Sequence, residues 1–228
     1  MRLNAFVARS TGVSRRKADE LIKQGRISVD GQTAPVGQIV NSISKVALDD
    51  KPLVLPAKST LILLNKPVGY VVSREGQGSK TIYQLLPDSM SKLKPVGRLD
   101  KDSSGLLILT DDGNLANKLM HPSEDKNKVY AVTLDRPLTQ KDKRAIEKGL
   151  LLEDGISSLS IDITDKDCRK LRVVMSEGRN RQIRRTFFSV GYRVVGLKRI
   201  SMGNFSLGKL NSGEWKSLGG QESVNDRK

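Results

Sequence analysis

The chain has 228 residues and a net charge of +15, and its 37% hydrophobic content suffices for a folded core. No stretch approaches the ~20 continuous apolar residues of a membrane-spanning helix, and no apolar signal run follows Met1, so we exclude a membrane protein and expect a soluble, cytoplasmic one. The single cysteine and single histidine exclude an internal disulfide framework and argue against a zinc site.

The positive charge is concentrated in two windows. Residues 1–26 carry seven basic and two acidic side chains, and residues 166–199 carry eleven and two. Clustered cations focus electrostatic potential on one surface and attract phosphates through counterion release. We therefore expect a polyanionic partner, most simply a nucleic acid.

Apolar residues at helical spacing predict two short helices at the N-terminus. One ends before Gly12, and the other begins after Ser14, a good N-cap, and ends at Gly25, a good C-terminal cap. The apolar positions are Leu3, Phe6 and Val7 in the first helix and Ala18, Leu21 and Ile22 in the second.

Three cations, Arg15, Arg16 and Lys17, fill the first turn of the second predicted helix. Their charges oppose the helix dipole. A phosphate that approaches the free N–H groups of the same turn removes this cost. The sequence therefore indicates a phosphate-binding helix end.

A small ribbon follows the two helices, because Ile27 and Val29 alternate like a strand and Asp30-Gly31 is typical of a tight hairpin turn. The runs 14–19 and 25–31 resemble the alpha-L RNA-binding module, first known in a small-subunit ribosomal protein. The resemblance covers residues 1–50, and the alternative is an ordinary helical hairpin. It implies RNA as the partner, with contacts from Arg15, Arg16, Lys17, Lys23 and Arg26.

A turn-rich linker at 51–60 separates this module from a second domain at 61–219, and a polar tail occupies 220–228. In the second domain, helical patterns interrupt strand patterns irregularly, which indicates an α+β sheet domain. The predicted strands are Leu61–Leu64, Tyr70–Ser73, Leu106–Thr110, Tyr130–Leu134, Leu171–Met175 and Tyr192–Val195, and the predicted helices are Asn114–Met120, 139–148 and Asn180–Val190.

Four polar motifs lie among these elements. They are Asn65-Lys66-Pro67-Val68-Gly69, Gly97-Arg98-Leu99-Asp100-Lys101-Asp102-Ser103-Ser104-Gly105-Leu106-Leu107, Lys128-Val129-Tyr130, and Gly178-Arg179-Asn180-Arg181-Gln182-Ile183-Arg184-Arg185. In this order they resemble the pseudouridine synthases, in the branch that carries an alpha-L module and modifies bacterial ribosomal RNA. The resemblance extends to about residue 218 and implies a mixed, mainly antiparallel sheet flanked by helices.

The resemblance implies an isomerisation in which the glycosidic bond of a flipped-out uridine is broken and C5 of the base is joined to C1′. It implies no cofactor and no metal. Asp100 matches the catalytic aspartate of the family. Such a carboxylate either attacks C1′ or removes the C2′ proton, and the sequence leaves both roles open.

Further residues match the family by motif position. Tyr130 matches the active-site tyrosine that stacks on the base. Arg184 matches the active-site arginine, and Ile183 matches the residue that forms the apolar floor of the pocket. Leu99 belongs to the same pocket, and Arg98 is placed to fill the gap that the flipped uridine leaves.

The last motif begins a predicted basic helix with an apolar stripe of Ile183, Phe187 and Val190. Arg184 borders this stripe, and we expect it to pair with Asp100 and keep that carboxylate ionised. Other arginines project toward solvent and are predicted to contact phosphates. They are Arg179, Arg181 and Arg185.

Several alternatives stay open. A two-carboxylate glycosidase is one alternative, suggested by Asp102, Asp111 and Asp112. Loop polarity accounts for Asp102, and a turn that caps a helix accounts for Asp111 and Asp112. We expect His121 to cap the end of a helix. A non-catalytic RNA-binding or ribosome-assembly factor could keep the same fold. Motif resemblance favours large-subunit over small-subunit rRNA, free or in an assembling subunit, and we expect a monomer.

Overall fold

The computed structural model describes residues 1–56, 59–120 and 127–218. The predicted tail at 220–228 and the predicted cap at His121 lie outside the described residues. The chain forms two compact units, one from Met1 to Thr60 with Asp111–Gly113, the other from Leu61 to Thr110 and from Asn114 onward. Within the described ranges, no helix is both long and apolar enough to cross a membrane.

Helix α1 of the first unit, Leu3–Thr11, buries the apolar face that its sequence spacing predicts. It ends where Gly12 adopts a φ of +81° and donates its backbone N–H to the carbonyl of Ala8 at 2.9 Å. Only a glycine adopts this left-handed conformation without steric cost, so the predicted helix end is confirmed.

Helix α2, Arg15–Lys23, begins at the predicted cap, since Ser14 Oγ accepts the N–H of Lys17 at 3.1 Å. At its other end, Gly25 has a φ of +71°, and the two N–H groups after the helix return to carbonyls in its last turn. This Schellman arrangement confirms the predicted C-terminal cap. The buried face consists of Ala18, Leu21 and Ile22.

Four short strands complete the first unit, in the order β2-β1-β3-β4. They are β1 Ile27–Val29, β2 Gln32–Thr33, β3 Val46–Leu48 and β4 Lys51–Pro52. Asp30 and Gly31 both have positive φ, +51° and +84°, as the predicted two-residue hairpin turn requires. Strands β3 and β4 were not predicted, because they are too short to show alternation.

The second unit is built on a nine-stranded sheet whose main path runs β11-β12-β8-β13-β7-β5-β15. Its strands are β5 Leu61–Lys66, β6 Lys94–Pro95, β7 Ser104–Thr110, β8 Lys128–Leu134, β11 Ser160–Ile163, β12 Lys170–Met175, β13 Val194–Met202, β14 Phe205–Ser206 and β15 Trp215–Ser217. Every pairing is antiparallel except β13 with β7. The predicted α+β class and mixed, mainly antiparallel sheet are confirmed.

Three α-helices and a separate hairpin accompany this sheet. They are α3 Gly113–Met120, α4 Gln140–Lys148, α5 Gln182–Ser189 and the hairpin of β9 Leu150–Leu152 with β10 Gly155–Ser157; 3₁₀ turns span Ile82–Leu85 and Asp88–Met90. Thr139 caps α4, since its Oγ1 accepts the N–H of Asp142 at 3.1 Å. A buried Ser157–Thr186 hydroxyl contact of 2.8 Å fixes the unpredicted hairpin to α5.

The sequence of strand β7 is apolar from Leu106 to Leu109, without the alternation that a strand with one exposed face shows. Leu107 and Leu109 pack into one hydrophobic cluster, and Leu106 and Ile108 pack into another. Both faces of the sheet are therefore covered, and a strand buried on both faces loses the usual alternation with polar residues.

Two predicted strands differ from the structure. The predicted strand Tyr70–Ser73 is wrong: Val71 accepts and donates backbone hydrogen bonds with a neighbouring loop at residues 80–82, so the segment never joins the sheet. The predicted strand at 192–195 begins only at Val194. Tyr192 lies before it, where its hydroxyl donates to Asp142 Oδ2 at 2.7 Å.

Candidate active site

One row of paired residues crosses the sheet of the second unit. Val173 pairs with Tyr130, Tyr130 with Arg199, Arg199 with Gly105, and Gly105 with Lys66. Directly paired residues present their side chains on the same face of a sheet. Strand register therefore groups an aromatic and two cationic side chains that lie far apart in sequence.

Gly105 allows β7 and β13 to come close together within this row. Its φ is +102°, and a Cβ there would lie 2.2 Å from the carbonyl oxygen of Arg199. The missing side chain lets β7 and β13 approach where their backbones are in contact. The loop before β7, which carries Asp100, is therefore brought directly beside the row.

Lys66 holds this loop through its backbone. The fully buried Nζ donates to the carbonyls of Ser103 at 2.7 Å, Asp100 at 3.0 Å and Pro67 at 3.0 Å. An ammonium has three N–H donors, and all three are used. Lys66 thus fixes the backbone on both sides of the Asp100–Ser103 turn.

Burial lowers the pKa of Lys66 to about 8, although the negative charges of Asp100 and Asp102 oppose the shift. The sequence analysis named Lys66 only as part of the motif at 65–69. A lysine that directly follows the apolar run Leu61–Leu64 and Asn65 was the available signal, since a cation there must find several acceptors to be buried.

The predicted ion pair between Arg184 and Asp100 is wrong. Arg184 Nη1 donates to the carbonyl of Val194 at 2.8 Å, and Nη2 donates to the carbonyl of Asp102 at 2.9 Å. Nη2 also lies 3.3 Å from Asp102 Oδ2. Because β13 holds one edge of the guanidinium, its other edge meets Asp102.

Arg181 is the arginine that reaches Asp100, at 3.5 Å from Nη1 to Oδ2. It also forms a two-pronged pair with Asp102, at 3.1 and 3.0 Å. Although desolvation works against ionisation, the hydrogen bond from Arg181 and the charges of Arg184 and Arg181 lower the pKa of Asp102. Asp102 is therefore the carboxylate that anchors both arginines, and Asp100 keeps its own oxygens largely free.

Backbone geometry aims Arg181 at the loop. Its φ of +47° lies in the left-handed region at the start of α5. A residue other than glycine is uncommon there and is held by its surroundings, often at functional sites. Here the pairing with Asp102 supplies that restraint.

A cavity of about 540 Å³ opens beside the loop. The structure brings seven of the predicted site residues to its wall, and Arg184 does not line it. They are Arg98, Leu99, Asp100, Tyr130, Arg179, Arg181 and Ile183.

Two further cations line this cavity, and the sequence prediction missed both. Arg199 is buried, with Nε donating to the carbonyl of Leu106 at 2.8 Å and Nη2 without a partner among the described residues. Lys128 Nζ donates to the carbonyl of Ser176 at 3.1 Å. Burial, aided by the charge of Arg199 and opposed by Glu177, lowers the pKa of Lys128.

The arrangement at this wall suits a ligand with hydrogen-bond acceptors. An unsatisfied buried guanidinium N–H costs free energy until an acceptor reaches it. The Arg199 side chain, in the row of Tyr130 and beside the cavity of Asp100, can therefore donate to a carbonyl or phosphate oxygen. The available signal was an arginine within a strand-like apolar stretch.

Two of the predicted phosphate-contacting arginines are engaged within the protein. Arg179 donates to the carbonyls of Asp154 and Ile156, each at 2.7 Å, and to Asp154 Oδ1 at 3.0 Å. Arg185 binds both carboxylate oxygens of Asp154, at 2.9 and 2.6 Å. These contacts tie the β9–β10 turn to the start of α5.

The predicted RNA-contacting side chains of the first unit are all exposed, and several form surface pairs. Lys17 pairs with Glu20 at 2.9 Å, and Arg26 makes a two-pronged pair with Asp49. Exposed pairs of this kind contribute little to stability, so their cations remain available to phosphates. The five are Arg15, Arg16, Lys17, Lys23 and Arg26.

The two-carboxylate alternative has no geometry to support it. Asp111 Oδ1 accepts the N–H of Thr60 at 2.9 Å, Asp112 Oδ2 accepts the hydroxyl of Ser59 at 3.2 Å, and neither lines the cavity. Asp102 is bound by two arginines. In the ranges that the structure describes, no group of three or more His, Cys, Asp or Glu side chains could hold a metal ion.

Comparison with known proteins matches two families. Residues 60–189 match the family described as RNA pseudouridylate synthase, and residues 1–42 match the S4 domain. A solved structure described as a pseudouridylate synthase superimposes with a TM-score of 0.69 at 32% identity, covering 96% of each chain.

Two curated relatives act on different ribosomal subunits by name. The ribosomal small subunit pseudouridine synthase A of Pasteurella multocida is 34% identical over 97% of this chain and 97% of its own. The ribosomal large subunit pseudouridine synthase B of Bacillus subtilis is 34% identical over 95% of this chain and 91% of its own.

Proposed function

Because the chain belongs to the RNA pseudouridylate synthase family, we propose that it isomerises particular uridines of ribosomal RNA to pseudouridine and that Asp100 is its catalytic residue. The observation that carries the proposal is the loop at 100–103. Lys66 holds it by two hydrogen bonds to its backbone carbonyls, and the Asp100 carboxylate lies at the wall of a 540 Å³ cavity.

In the proposed reaction the N1–C1′ bond breaks, the uracil turns, and C5 forms a bond with C1′. C5 loses a proton and N1 gains one, so no co-reactant is consumed. The Asp100 carboxylate either attacks C1′ or takes the C2′ proton, and both require it ionised and close to the ribose. Arg181 is the cation beside it, with Nη1 at 3.5 Å from Asp100 Oδ2.

The other proposed site residues bind the nucleotide. Tyr130 offers a ring on which the flipped base stacks, and Arg199, its partner across the strands, donates to an oxygen of the same nucleotide. Leu99 and Ile183 supply the apolar floor, and Arg98 enters the gap left in the RNA. Arg184 acts through Asp102 and is a positioning residue.

The substrate proposal extends to the ribosomal subunit. The curated relatives include a small-subunit and a large-subunit enzyme at equal identity, and the motif resemblance favours large-subunit rRNA, free or in an assembling particle. Exposed cations of the first unit bind flanking RNA. We also propose that the protein acts in the cytoplasm and as a monomer.

The first test maps pseudouridine by carbodiimide labelling and primer extension on unmodified bacterial 16S and 23S rRNA incubated with the protein. A single new site in 23S rRNA is the expected result. A site in 16S rRNA would correct the subunit. Tight binding without product, on free rRNA and on assembly intermediates alike, would favour the non-catalytic RNA-binding factor.

Lys66 sets an alkaline limit on the proposed activity. Above its pKa of about 8, the neutral amine has two N–H donors for three carbonyls and releases part of the loop. We expect the single-turnover rate constant to fall as the pH rises through about 8, measured on one RNA at constant ionic strength.

The contribution of Lys66 to the free energy of unfolding should rise with pH, whereas the rate constant falls. From about pH 8 to the ordinary lysine pKa of 10.5, the unfolded chain binds more protons at this position than the native chain does. The contribution of Lys66 to the free energy of unfolding therefore rises with pH over that window. If activity declines only where Trp215 fluorescence reports unfolding, the loss has another cause than Lys66.

A further inference from the structure

A second cavity, of about 510 Å³, lies in the second unit on the outer side of α5, and we name it the Phe188 groove. Its apolar wall comes from α5, from strand β9 and from the start of β13. It is lined by Leu151, Leu152, Glu153, Arg181, Arg184, Arg185, Phe188, Tyr192, Arg193 and Val194.

Phe188 has no role in the protein core. Its side chain is 76% exposed, whereas Phe187 beside it is fully buried in the main cluster. Leu151, on the opposite wall, is 82% exposed. Large apolar side chains that converge on one groove and stay in water mark a binding surface.

The groove is basic as well as apolar. Arg181, Arg184, Arg185 and Phe188 follow one another at helical spacings of three, one and three, which places them on one face of α5. Glu153 is the only acidic residue of the groove lining, while Asp102 and Asp154, which pair with these arginines, do not line it. A polyanion fits this lining better than a neutral partner does.

One arginine of the groove makes no side-chain hydrogen bond. The guanidinium of the exposed Arg193 makes none within the part of the chain that the structure describes, while its backbone N–H donates to Asp135 Oδ1 at 3.0 Å, and this hydrogen bond together with the charge of Arg193 lowers the pKa of Asp135. An exposed cation and an exposed aromatic ring that line one groove match the two parts of a nucleotide, the phosphate and the base.

The groove shares one lining residue with the candidate active site. Arg181 lines both cavities, and its pairs with Asp100 and Asp102 fix it between them. An RNA strand with one nucleotide in the Asp100 cavity therefore has the Phe188 groove on the other side of Arg181. When a uridine leaves its stack, its neighbours lose stacking partners, and Phe188 is positioned to replace one.

We propose that the Phe188 groove binds one unpaired RNA nucleotide next to the target uridine, with its base stacked on Phe188 and its phosphate on Arg193. The inference rests on the proposed function for the identity of the RNA. It adds a docking site outside the catalytic cavity, and it assigns a binding role to a residue that neither folding nor the reaction uses.

The test compares three variants with the unmodified protein. Phe188→Ala removes the ring, Phe188→Tyr keeps it, and Ile156→Ala removes an equally exposed apolar side chain (69%) that does not line the groove. Each is measured for filter-binding affinity and for single-turnover rate on the rRNA fragment that the unmodified protein binds most tightly. Analytical ultracentrifugation gives the mass of each free protein.

We expect Phe188→Ala to weaken RNA binding by about ten- to a hundredfold, which is the range for loss of one base–aromatic stack. The saturated rate should change little, and Phe188→Tyr and Ile156→Ala should bind normally. RNAs that each lack one base near the target then identify the base that stacks on Phe188. When the missing base is the stacked one, the losses of affinity caused by the abasic RNA and by Phe188→Ala should be less than additive.

Two outcomes overturn the proposal. Unchanged affinity in Phe188→Ala would show that no base stacks on this ring, and a change from dimer to monomer without change in RNA binding would assign the groove to a second copy of the chain. Both are independent of the proposed function, whose failure appears separately as absence of pseudouridine with the unmodified protein.

Discussion

Replacing Asp100 with asparagine is expected to lower the single-turnover rate of pseudouridine formation by at least about 10²- to 10⁴-fold, the range for loss of a positioned acid–base or nucleophilic group. The substitution is nearly isosteric and keeps the backbone carbonyl that Lys66 and the N–H of Ser103 bind. Among the residues that the structure describes, the Asp100 carboxylate makes one long contact, to Arg181. Folding and RNA affinity should therefore survive, and the loss should appear in the rate.

Asp102→Asn is the matched control, two positions along the same loop. It weakens the contacts to Arg181 and Arg184, so we expect a smaller loss of rate together with lower stability. The pair of variants separates the reacting carboxylate from the anchoring one. An Asp100→Asn protein that retains normal turnover while Asp102→Asn loses it would assign the chemistry to Asp102.

Replacing Lys66 with methionine is expected to have the largest effect on stability. Methionine approximates the length of the lysine stem, but it leaves the carbonyls of Pro67, Asp100 and Ser103 without this donor. The carbonyl of Asp100 keeps the N–H of Ser103, but each acceptor that is left unsatisfied costs ~1–3 kcal/mol, partly offset because the buried charge is also removed. We expect a loss of about 3 kcal/mol or more, which lowers Tm by roughly 6–12 °C.

The single tryptophan allows the stability of the second unit to be measured separately. Trp215 is buried on β15, which pairs with β5, the strand that ends at Lys66. Urea unfolding followed by Trp215 fluorescence therefore reports the sheet that holds the loop. Lys216→Met, an exposed lysine on β15, is the control and should shift the midpoint little. Equal midpoints for the two variants would show that Lys66 does not brace the loop.

Local signals of the sequence predicted the first unit well. The caps of α2 and the turn at Asp30-Gly31 act over three or four residues, so the residue types alone determine them. The same holds for α4, which begins after Thr139. The prediction of a strand at Tyr70–Ser73 was wrong because β-branched residues have a high strand propensity, but this propensity does not determine whether a sheet edge is available.

The candidate site was predictable only where a motif carried it. Family resemblance selected Asp100 and Tyr130, and the structure places both at one cavity. Arg199 and Lys66 escaped prediction because their position depends on the register of β5, β7, β8 and β13. The arginine that reaches Asp100 was misassigned for a related reason, since the carbonyl of Val194, on a strand after α5, determines where Arg184 points.

The position of β13 has a consequence for how the protein is made. This strand lies between β8 and β7, both of which precede it in the chain, and among the described strands of the sheet its pairing with β7 is the parallel one. Until it is synthesised, the sheet consists of two separate halves with open edges, which are prone to pair wrongly. In the described part of the chain, the four strands of the first unit pair only with one another, so this small sheet can form as soon as it emerges. The nascent chain therefore acquires its S4 domain early and its candidate active-site cavity last, and the proposed enzyme cannot modify RNA before its own translation is nearly complete.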